Sequence, residues 1–213
     1  MFDAKTAARK LEEWFTEHGR KFPWRFDSDG YRTLAVELLL QRTKADAVKK
    51  VYRRFFEEYP TLESLALARV ENLNKFFSKL GLAYRGGRVK KIAEEILGKY
   101  GGRIPCNMES LLKLRGVGVY IASAVLNFGC DSPTPLVDRN VLRVLNRCAG
   151  ITRETSAREF ITELYRYGDH RKLAYALIDV GALICRVGRC DECPLEKLCL
   201  KLPPAEDSWH MLR

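Results

Sequence analysis

Apolar residues recur along most of the chain at the i, i+3 and i+4 spacing that is typical of amphipathic helices. The first such segment follows Asp3 and stops at Gly19. Its apolar positions are Ala7, Leu11, Trp14 and Phe15. Val, Ile and Thr do not alternate with polar residues over the length of a strand, so no strand is predicted. The pattern therefore predicts an all-α protein.

A proline-containing break separates two parts of this helical pattern. Residues 131–135 have the sequence Asp-Ser-Pro-Thr-Pro. Proline lacks a backbone donor and disfavours helix in the residue before it. We therefore expect a linker here, with helical segments on both sides.

A shorter break, Gly116-Val117-Gly118, lies between two apolar segments. Glycine allows a sharp turn and the close approach of a ligand to the backbone. The second helix would then present its first N–H groups and its positive dipole end to a phosphate. The motif predicts a helix–hairpin–helix that holds a phosphate group, although an ordinary turn between two helices has the same pattern.

The charge of the chain favours a polyanionic partner. Its 37 Lys and Arg residues outnumber 27 Asp and Glu residues, which gives a formal net charge of +10. Such an excess is typical of proteins that bind nucleic acid. The longest apolar run, residues 173–185, contains Asp179 and is too short to cross a membrane. Since no apolar run follows the basic residue near the N-terminus, we also expect no secretory signal and an intracellular protein.

Four of the seven cysteines lie close together near the C-terminus: Cys185, Cys190, Cys193 and Cys199. In a reducing compartment such a group predicts a metal site rather than a set of disulfides. Four thiolates suit either a [4Fe–4S] cluster or a tetrahedral zinc ion. The other three cysteines are scattered and are interpreted as buried small apolar residues. They are Cys106, Cys130 and Cys148.

The glycine hairpin, Asp138 after the proline-containing loop, and the four-cysteine segment follow one another along the chain. In this order and at these spacings they resemble the helix-hairpin-helix DNA glycosylases of the endonuclease III and MutY superfamily. The resemblance implies a two-domain all-α fold with a six-helix domain at residues 25–134. Residues 1–24 and 135–213 would form a discontinuous helical iron–sulfur domain. The resemblance also implies a monomer that binds double-stranded DNA containing a mismatched or damaged base.

The same resemblance favours a [4Fe–4S] cluster over zinc at the four C-terminal cysteines. The chain departs from the family in one respect, because the spacing between Cys185 and Cys190 is shorter than usual. Either metal would anchor the segment that carries these cysteines.

By resemblance Asp138 is the catalytic carboxylate, which stabilises the positive charge that develops on the sugar when the base leaves. Alone, it would be interpreted as a helix N-cap. Tyr120 stands where bifunctional relatives have a lysine, and a phenol cannot form the imine of a lyase. Tyrosine at this position resembles the thymine–DNA mismatch glycosylases of the MutY branch, the archaeal Mig type, although simple core packing is the alternative.

The segment from Glu37 to Thr43 matches the MutY-type pattern Glu-x-x-Leu-Gln-Gln-Thr, with Arg42 in place of the second glutamine. The resemblance makes Glu37 a proton donor or water-orienting acid, unless it is a salt-bridged helix carboxylate. It places Gln41 and Arg42 at the DNA, where they fill the gap or contact the opposite base. Leu82 is predicted to be the apolar wedge that enters the base stack, with core packing as the alternative.

These features together predict a monofunctional DNA glycosylase that removes thymine or uracil mispaired with guanine. A MutY-like adenine glycosylase would share Glu37 and Asp138, but that group typically carries a further C-terminal domain, and this chain stops at Arg213. An endonuclease III-like enzyme acting on oxidised pyrimidines is disfavoured by Tyr120. A non-catalytic iron–sulfur DNA-binding module is disfavoured because both acids are present.

Overall fold

The computed structural model describes residues 3–26 and 29–203. Within these residues the regular structure is helical and contains no strand, which confirms the predicted all-α class. None of the described helices is both long and apolar enough to cross a membrane. The helices are α1 Ala4–His18, α2 Gly30–Leu40, α3 Ala45–Glu58, α4 Leu62–Leu67, α5 Val70–Ser78, α6 Gly86–Tyr100, α7 Met108–Lys113, α8 Val119–Ala124, α9 Arg139–Ala149, α10 Glu154–Tyr165 and α11 His170–Val180.

The chain divides into two compact units. We call residues 21–132 the hairpin unit, and residues 1–20 together with 133–213 the terminal unit. The hairpin unit contains α2 to α8, and the terminal unit contains α1 and α9 to α11. The domain boundaries inferred from the resemblance stay a prediction.

Polar side chains fix where several helices begin. Asp3 accepts hydrogen bonds from the N–H groups of Lys5 and Thr6 at the start of α1. Thr61 and Ser64 form a reciprocal capping box at the start of α4. Each such cap pairs donors that the first helical turn leaves without a partner, and contributes about 1 kcal/mol.

The core of the hairpin unit is aromatic. One face of α3 buries Val48, Tyr52, Phe55 and Phe56. The Phe55 ring lies 5.1 Å from that of Phe76 on α5, edge to face, which is a favoured geometry for aromatic pairs. This core supports α2 and α8, which pack against each other and carry several of the predicted site residues.

In the terminal unit α1 packs on α10 and α11, and α11 packs on α9. Asp179 of α11 is fully buried and accepts hydrogen bonds from the Arg20 backbone N–H at 2.8 Å and its Nε at 2.6 Å. The π-helical turn after α11 begins at Gly181, where a Cβ would lie 2.4 Å from the carbonyl oxygen of Asn140. Only glycine therefore allows this turn to approach α9 so closely.

Two of the three scattered cysteines differ from the sequence interpretation. Cys106 and Cys130 form a disulfide with a Cα–Cα distance of 5.8 Å, and Cys106 is exposed rather than buried. Sequence spacing did not reveal this pair because α7, the hairpin and α8 bring its two ends together. Cys148 is buried, as predicted.

Candidate functional site

The glycine hairpin joins α7 to α8. Gly116 has φ +90°, a conformation that strongly favours glycine. Val117 is buried, and its N–H donates to the Leu114 carbonyl at 3.0 Å. Gly118 is the N-cap of α8 and brings no side chain to the first-turn N–H groups. A phosphate at this turn would therefore be held by N–H groups other than that of Val117.

Gln41, at the end of α2, ties this hairpin to α6. Its Nε2 donates to the Gly116 carbonyl at 3.2 Å, and its Oε1 accepts from the Arg88 guanidinium. The Arg85 guanidinium donates to the Gln41 backbone carbonyl. The side-chain amide of Gln41 therefore has protein partners at both ends. In the sequence Arg85 and Arg88 belong to a stretch with four basic residues at 85–91, a pattern that does not reveal this contact.

Arg42 is the exposed neighbour of Gln41 and has left-handed backbone, with φ +56°. Tyr84 is 70 % exposed, and the Arg85 guanidinium lies 5.8 Å from its ring centroid. A hydrogen bond from Arg85 lowers the pKa of Tyr84, and the charges of Arg42 and Arg88 lower it further. Leu82 is partly buried and packs against the core of the hairpin unit. This surface is thus basic with an exposed aromatic ring, and sequence reasoning missed Tyr84.

Two of the predicted catalytic residues lie in the hairpin unit, and each is at least partly buried. Glu37 is 9 % exposed and lies among apolar residues of α2. Tyr120 is the second residue of α8, is partly buried, and packs against the core of the unit. A carboxyl group with so little contact with water is expected only where it has a specific role or partner.

Asp138 is the N-cap of α9 in the terminal unit. Its Oδ1 accepts from the Val141 N–H at 2.8 Å and its Oδ2 from the Asn140 Nδ2 at 2.9 Å. Burial raises the pKa of Asp138, while these two hydrogen bonds and the charge of Arg143 act in the opposite direction. Capping accounts for the first oxygen, and the second is oriented by the Asn140 amide, so the carboxylate is held in one position.

The four C-terminal cysteines line one recess in the terminal unit, with about 340 Å³ of empty space that is partly open to solvent. A fifth cysteine, Cys148, lines the same recess. Burial raises the pKa of Cys185, and raises that of Cys193 to about 11. Among residues 3–26 and 29–203, no three His, Cys, Asp or Glu side chains are grouped as ligands of a single ion.

The last turn of α9 holds the ends of the cysteine segment. Arg147 donates to the Cys185 carbonyl at 3.2 Å, and its Nη1 lies 3.9 Å from the Cys185 Sγ. The Cys148 Sγ lies 2.9 Å from the Cys199 Sγ. Backbone bonds from Leu200 to the Cys148 carbonyl and from Leu202 to the Arg147 carbonyl fix this approach. Sequence reasoning did not find these roles, because Arg147 and Cys148 are remote from the cysteine segment in the chain.

Comparison with known proteins gives matches over nearly the whole chain. The HhH-GPD superfamily of base excision DNA repair proteins matches residues 35–167. A thymine-DNA glycosylase of Aeropyrum pernix is 35 % identical over 207 residues, which are 90 % of this chain and 92 % of that protein. A thymine/uracil-DNA glycosylase of Methanothermobacter thermautotrophicus is 35 % identical over 93 % of this chain and 96 % of its own. An adenine DNA glycosylase of Rattus norvegicus is 32 % identical over 92 % of this chain, but over only 42 % of its own length.

Solved structures agree with these matches. A thermostable thymine-DNA glycosylase superposes with a TM-score of 0.86 and 32 % identity, over 92 % of this chain and 94 % of that one. A non-covalent endonuclease III–DNA complex superposes with a TM-score of 0.78 at 22 % identity, over 94 % of this chain and 97 % of that one. The second match supports the fold alone.

Proposed function

Because the chain belongs to the HhH-GPD superfamily of base excision DNA repair proteins, we propose that it is a DNA glycosylase that removes thymine or uracil mispaired with guanine. The observation that carries this proposal is the 35 % identity to a thymine-DNA glycosylase over nine tenths of both chains. The enzyme hydrolyses the bond between base and sugar in double-stranded DNA. To reach that bond it extrudes the target nucleotide from the duplex.

Asp138 supplies the negative charge for this reaction. Its carboxylate is fixed by the Val141 N–H and the Asn140 amide, so it need not reorganise when positive charge develops on the sugar. In its ionised form it stabilises the oxocarbenium character of the transition state, and it can accept a proton from the attacking water. The raised pKa of Asp138 means that this charge is lost at a higher pH than for an ordinary aspartate.

Glu37 and Tyr120 complete the proposed catalytic set. Glu37 is a buried acid that protonates the leaving base or orients water. Tyr120 occupies the lysine position of the bifunctional relatives, and because its phenol cannot form an imine, the abasic strand stays intact. The reaction is therefore hydrolysis without strand cleavage.

DNA is bound through the hairpin and the basic surface beside it. The hairpin Gly116-Val117-Gly118 holds a phosphate through backbone donors other than the Val117 N–H, which donates to the Leu114 carbonyl. Arg42 projects at the exposed end of α2 and contacts the duplex, while Gln41 sets the distance between that end and the hairpin. Leu82 provides the wedge residue of its loop.

The four C-terminal cysteines would hold a [4Fe–4S] cluster. The donor set fits, because four thiols surround one recess. The resemblance to the endonuclease III and MutY superfamily favours the cluster over zinc, which would draw four ligands to about 2.3 Å of one ion. When bound, the cluster cross-links the segment from Cys185 to Cys199. Zinc is the less favoured alternative.

The division of the chain at residues 20–21 and 132–133 supports the proposed boundaries, with one domain at 25–134 and a discontinuous iron–sulfur domain from the rest. The described part of the hairpin unit has seven α-helices, α2 to α8, rather than the six that the resemblance implies. We expect the protein to act as a monomer. Adenine glycosylase activity is the second candidate, since the chain is also 32 % identical to the rat adenine enzyme.

A panel of duplexes tests the assignment. Each duplex carries one labelled G:T, G:U or A:G mispair, or an oxidised pyrimidine, and is incubated with the protein with and without alkali afterwards. We expect alkali-dependent cleavage at G:T and G:U and little at the other sites. Cleavage confined to A:G would establish the adenine alternative, and cleavage without alkali at oxidised pyrimidines would establish a bifunctional enzyme.

A further inference from the structure

Cys148 and Cys199 are in contact at the cysteine recess without a covalent bond between their sulfurs. Their Sγ atoms are 2.9 Å apart, so closing a disulfide bond would need a movement of about 0.9 Å. Cys148 is 2 % exposed, whereas Cys199 is partly exposed at the recess. One cysteine of the pair is therefore partly accessible to solvent, and the other is buried.

Backbone hydrogen bonds hold the segment that carries Cys199 against the end of α9, close to Cys148. The Leu200 N–H donates to the Cys148 carbonyl at 3.2 Å, and the Leu202 N–H donates to the Arg147 carbonyl at 3.0 Å. The Arg147 guanidinium also donates to the Leu202 carbonyl at 3.2 Å. Residues 199–202 are thus tethered to the last turn of α9, and Cys199 cannot leave Cys148 without breaking these bonds.

We infer that Cys148 is a resolving thiol for Cys199: when Cys199 is oxidised, Cys148 captures it as a reversible disulfide. A solvent-accessible cysteine beside a second thiol is the arrangement found in redox-sensitive sites, and Cys199 is partly accessible. The pairing is independent of the Cys106–Cys130 disulfide, which lies in the hairpin unit.

The chemistry needs one two-electron oxidant of the hydroperoxide class. The thiolate of Cys199, when no metal holds it, attacks one peroxide oxygen and the O–O bond breaks. The other oxygen leaves as water once it is protonated, and Cys199 becomes a sulfenic acid. The sulfur of Cys148 then attacks the Cys199 sulfur, the S–O bond breaks, and the hydroxyl leaves with the Cys148 proton as a second water. In total two thiols are oxidised to one disulfide, and one hydrogen peroxide is reduced to two waters.

Only the effect of the disulfide on the cluster rests on the proposed function. If Cys199 is a cluster ligand, the disulfide withdraws it from the ligand set and also protects it from irreversible sulfinic acid formation. Reduction then restores the Cys199 thiol, and the segment from Cys185 to Cys199 can bind a cluster again.

Disulfide mapping of the full-length protein tests the inference. Protein as purified is treated with hydrogen peroxide, alkylated under denaturing conditions, digested without reduction, and analysed by mass spectrometry. We expect a peptide linking Cys148 to Cys199, beside the Cys106–Cys130 peptide, which serves as a marker of the folded chain. Cys193→Ser, which removes another thiol of the recess, should leave the link intact. Cys148→Ser should abolish it and leave sulfinic acid at Cys199.

Two results would overturn the inference: linkage of Cys199 to Cys185, Cys190 or Cys193 in the wild type, or complete alkylation of Cys148 when Cys199 is oxidised. Iron and sulfide binding, measured after peroxide and then a thiol reductant, gives a second readout. It should recover in the wild type and not in Cys148→Ser. If untreated, reduced wild type binds no iron, the cluster assignment fails, while the mapped disulfide still decides the role of Cys148.

Discussion

Removing the Cys106–Cys130 disulfide should destabilise the part of the protein that carries the glycine hairpin. The bridge spans a sequence separation of 24 and encloses α7, the hairpin and α8. Closing a loop of this length in the unfolded chain removes entropy worth about 3.4 kcal/mol at 25 °C. Since 1 kcal/mol shifts the melting temperature of a protein of this size by about 2–4 °C, the expected fall is about 7–14 °C.

The perturbation is the double variant Cys106→Ser/Cys130→Ser, compared with wild type by circular dichroism at 222 nm during heating. Wild type in a thiol reductant should melt near the variant, and the variant should be insensitive to the same reductant. The reasoning would be refuted if the variant melted within about 2 °C of the oxidised wild type, since the loop would then be constrained by its packing alone. If the reductant lowered the melting temperature of both proteins equally, the sensitivity to reductant would lie outside the Cys106–Cys130 disulfide.

Three further changes probe the proposed site. Asp138→Asn keeps an N-cap residue but loses the negative charge, so excision should fall about 100-fold or more in single-turnover assays while duplex binding persists. Folding raises the pKa of Asp138, so above the pKa of the folded state its ionised form lowers the free energy of unfolding. The Asn variant should therefore be at least as stable as wild type at pH 7. This advantage should vanish as the pH falls to 3.8, the ordinary pKa of an aspartate. Equal loss of stability at all pH values would contradict the pKa shift. Tyr120→Lys should introduce weak lyase activity that borohydride traps covalently, with no trapping in wild type; efficient trapping of wild type would exclude the monofunctional assignment. Arg88→Met removes the donor to Gln41 and should weaken duplex binding about tenfold, more than Lys91→Met, which removes an exposed charge from the same helix; equal effects of the two variants would mean that only charge matters.

The parts of the fold that depend on local pattern could be predicted from the sequence. Amphipathic spacing identified helices such as α1, whose predicted apolar positions include the buried Ala7 and Leu11. Two glycines in the hairpin predicted a tight turn, and Gly116 has the backbone conformation that requires glycine. Both predictions use neighbours within a few residues, where geometry follows directly from residue type.

Contacts between distant segments could not be predicted in this way. The Cys106–Cys130 bridge depends on the path of α7 and α8, and the approach of Cys148 to Cys199 depends on how residues 199–202 lie along α9. The same holds for Gln41, which the motif marked as a DNA contact, but whose amide bonds Gly116 and Arg88. A single sequence gives no distance between such residues.

Asp138 shows how one residue can satisfy two interpretations. The structure shows it as an N-cap, which the sequence had offered as the alternative to catalysis. A cap needs one carboxylate oxygen, and the second oxygen is held by Asn140. The role of this carboxylate in excision remains a proposal, which the Asn variant separates from capping because asparagine caps helices equally well.

The most direct test of the central claim is a single-turnover reaction on a duplex with one G:T mispair, in which free thymine and the strand that carried it are both quantified. The account predicts one thymine released per duplex, an intact abasic strand before alkali, and no release by Asp138→Asn under the same conditions. Absence of free thymine from a wild-type preparation that binds the duplex, or thymine release by the Asn variant at the wild-type rate, would contradict it.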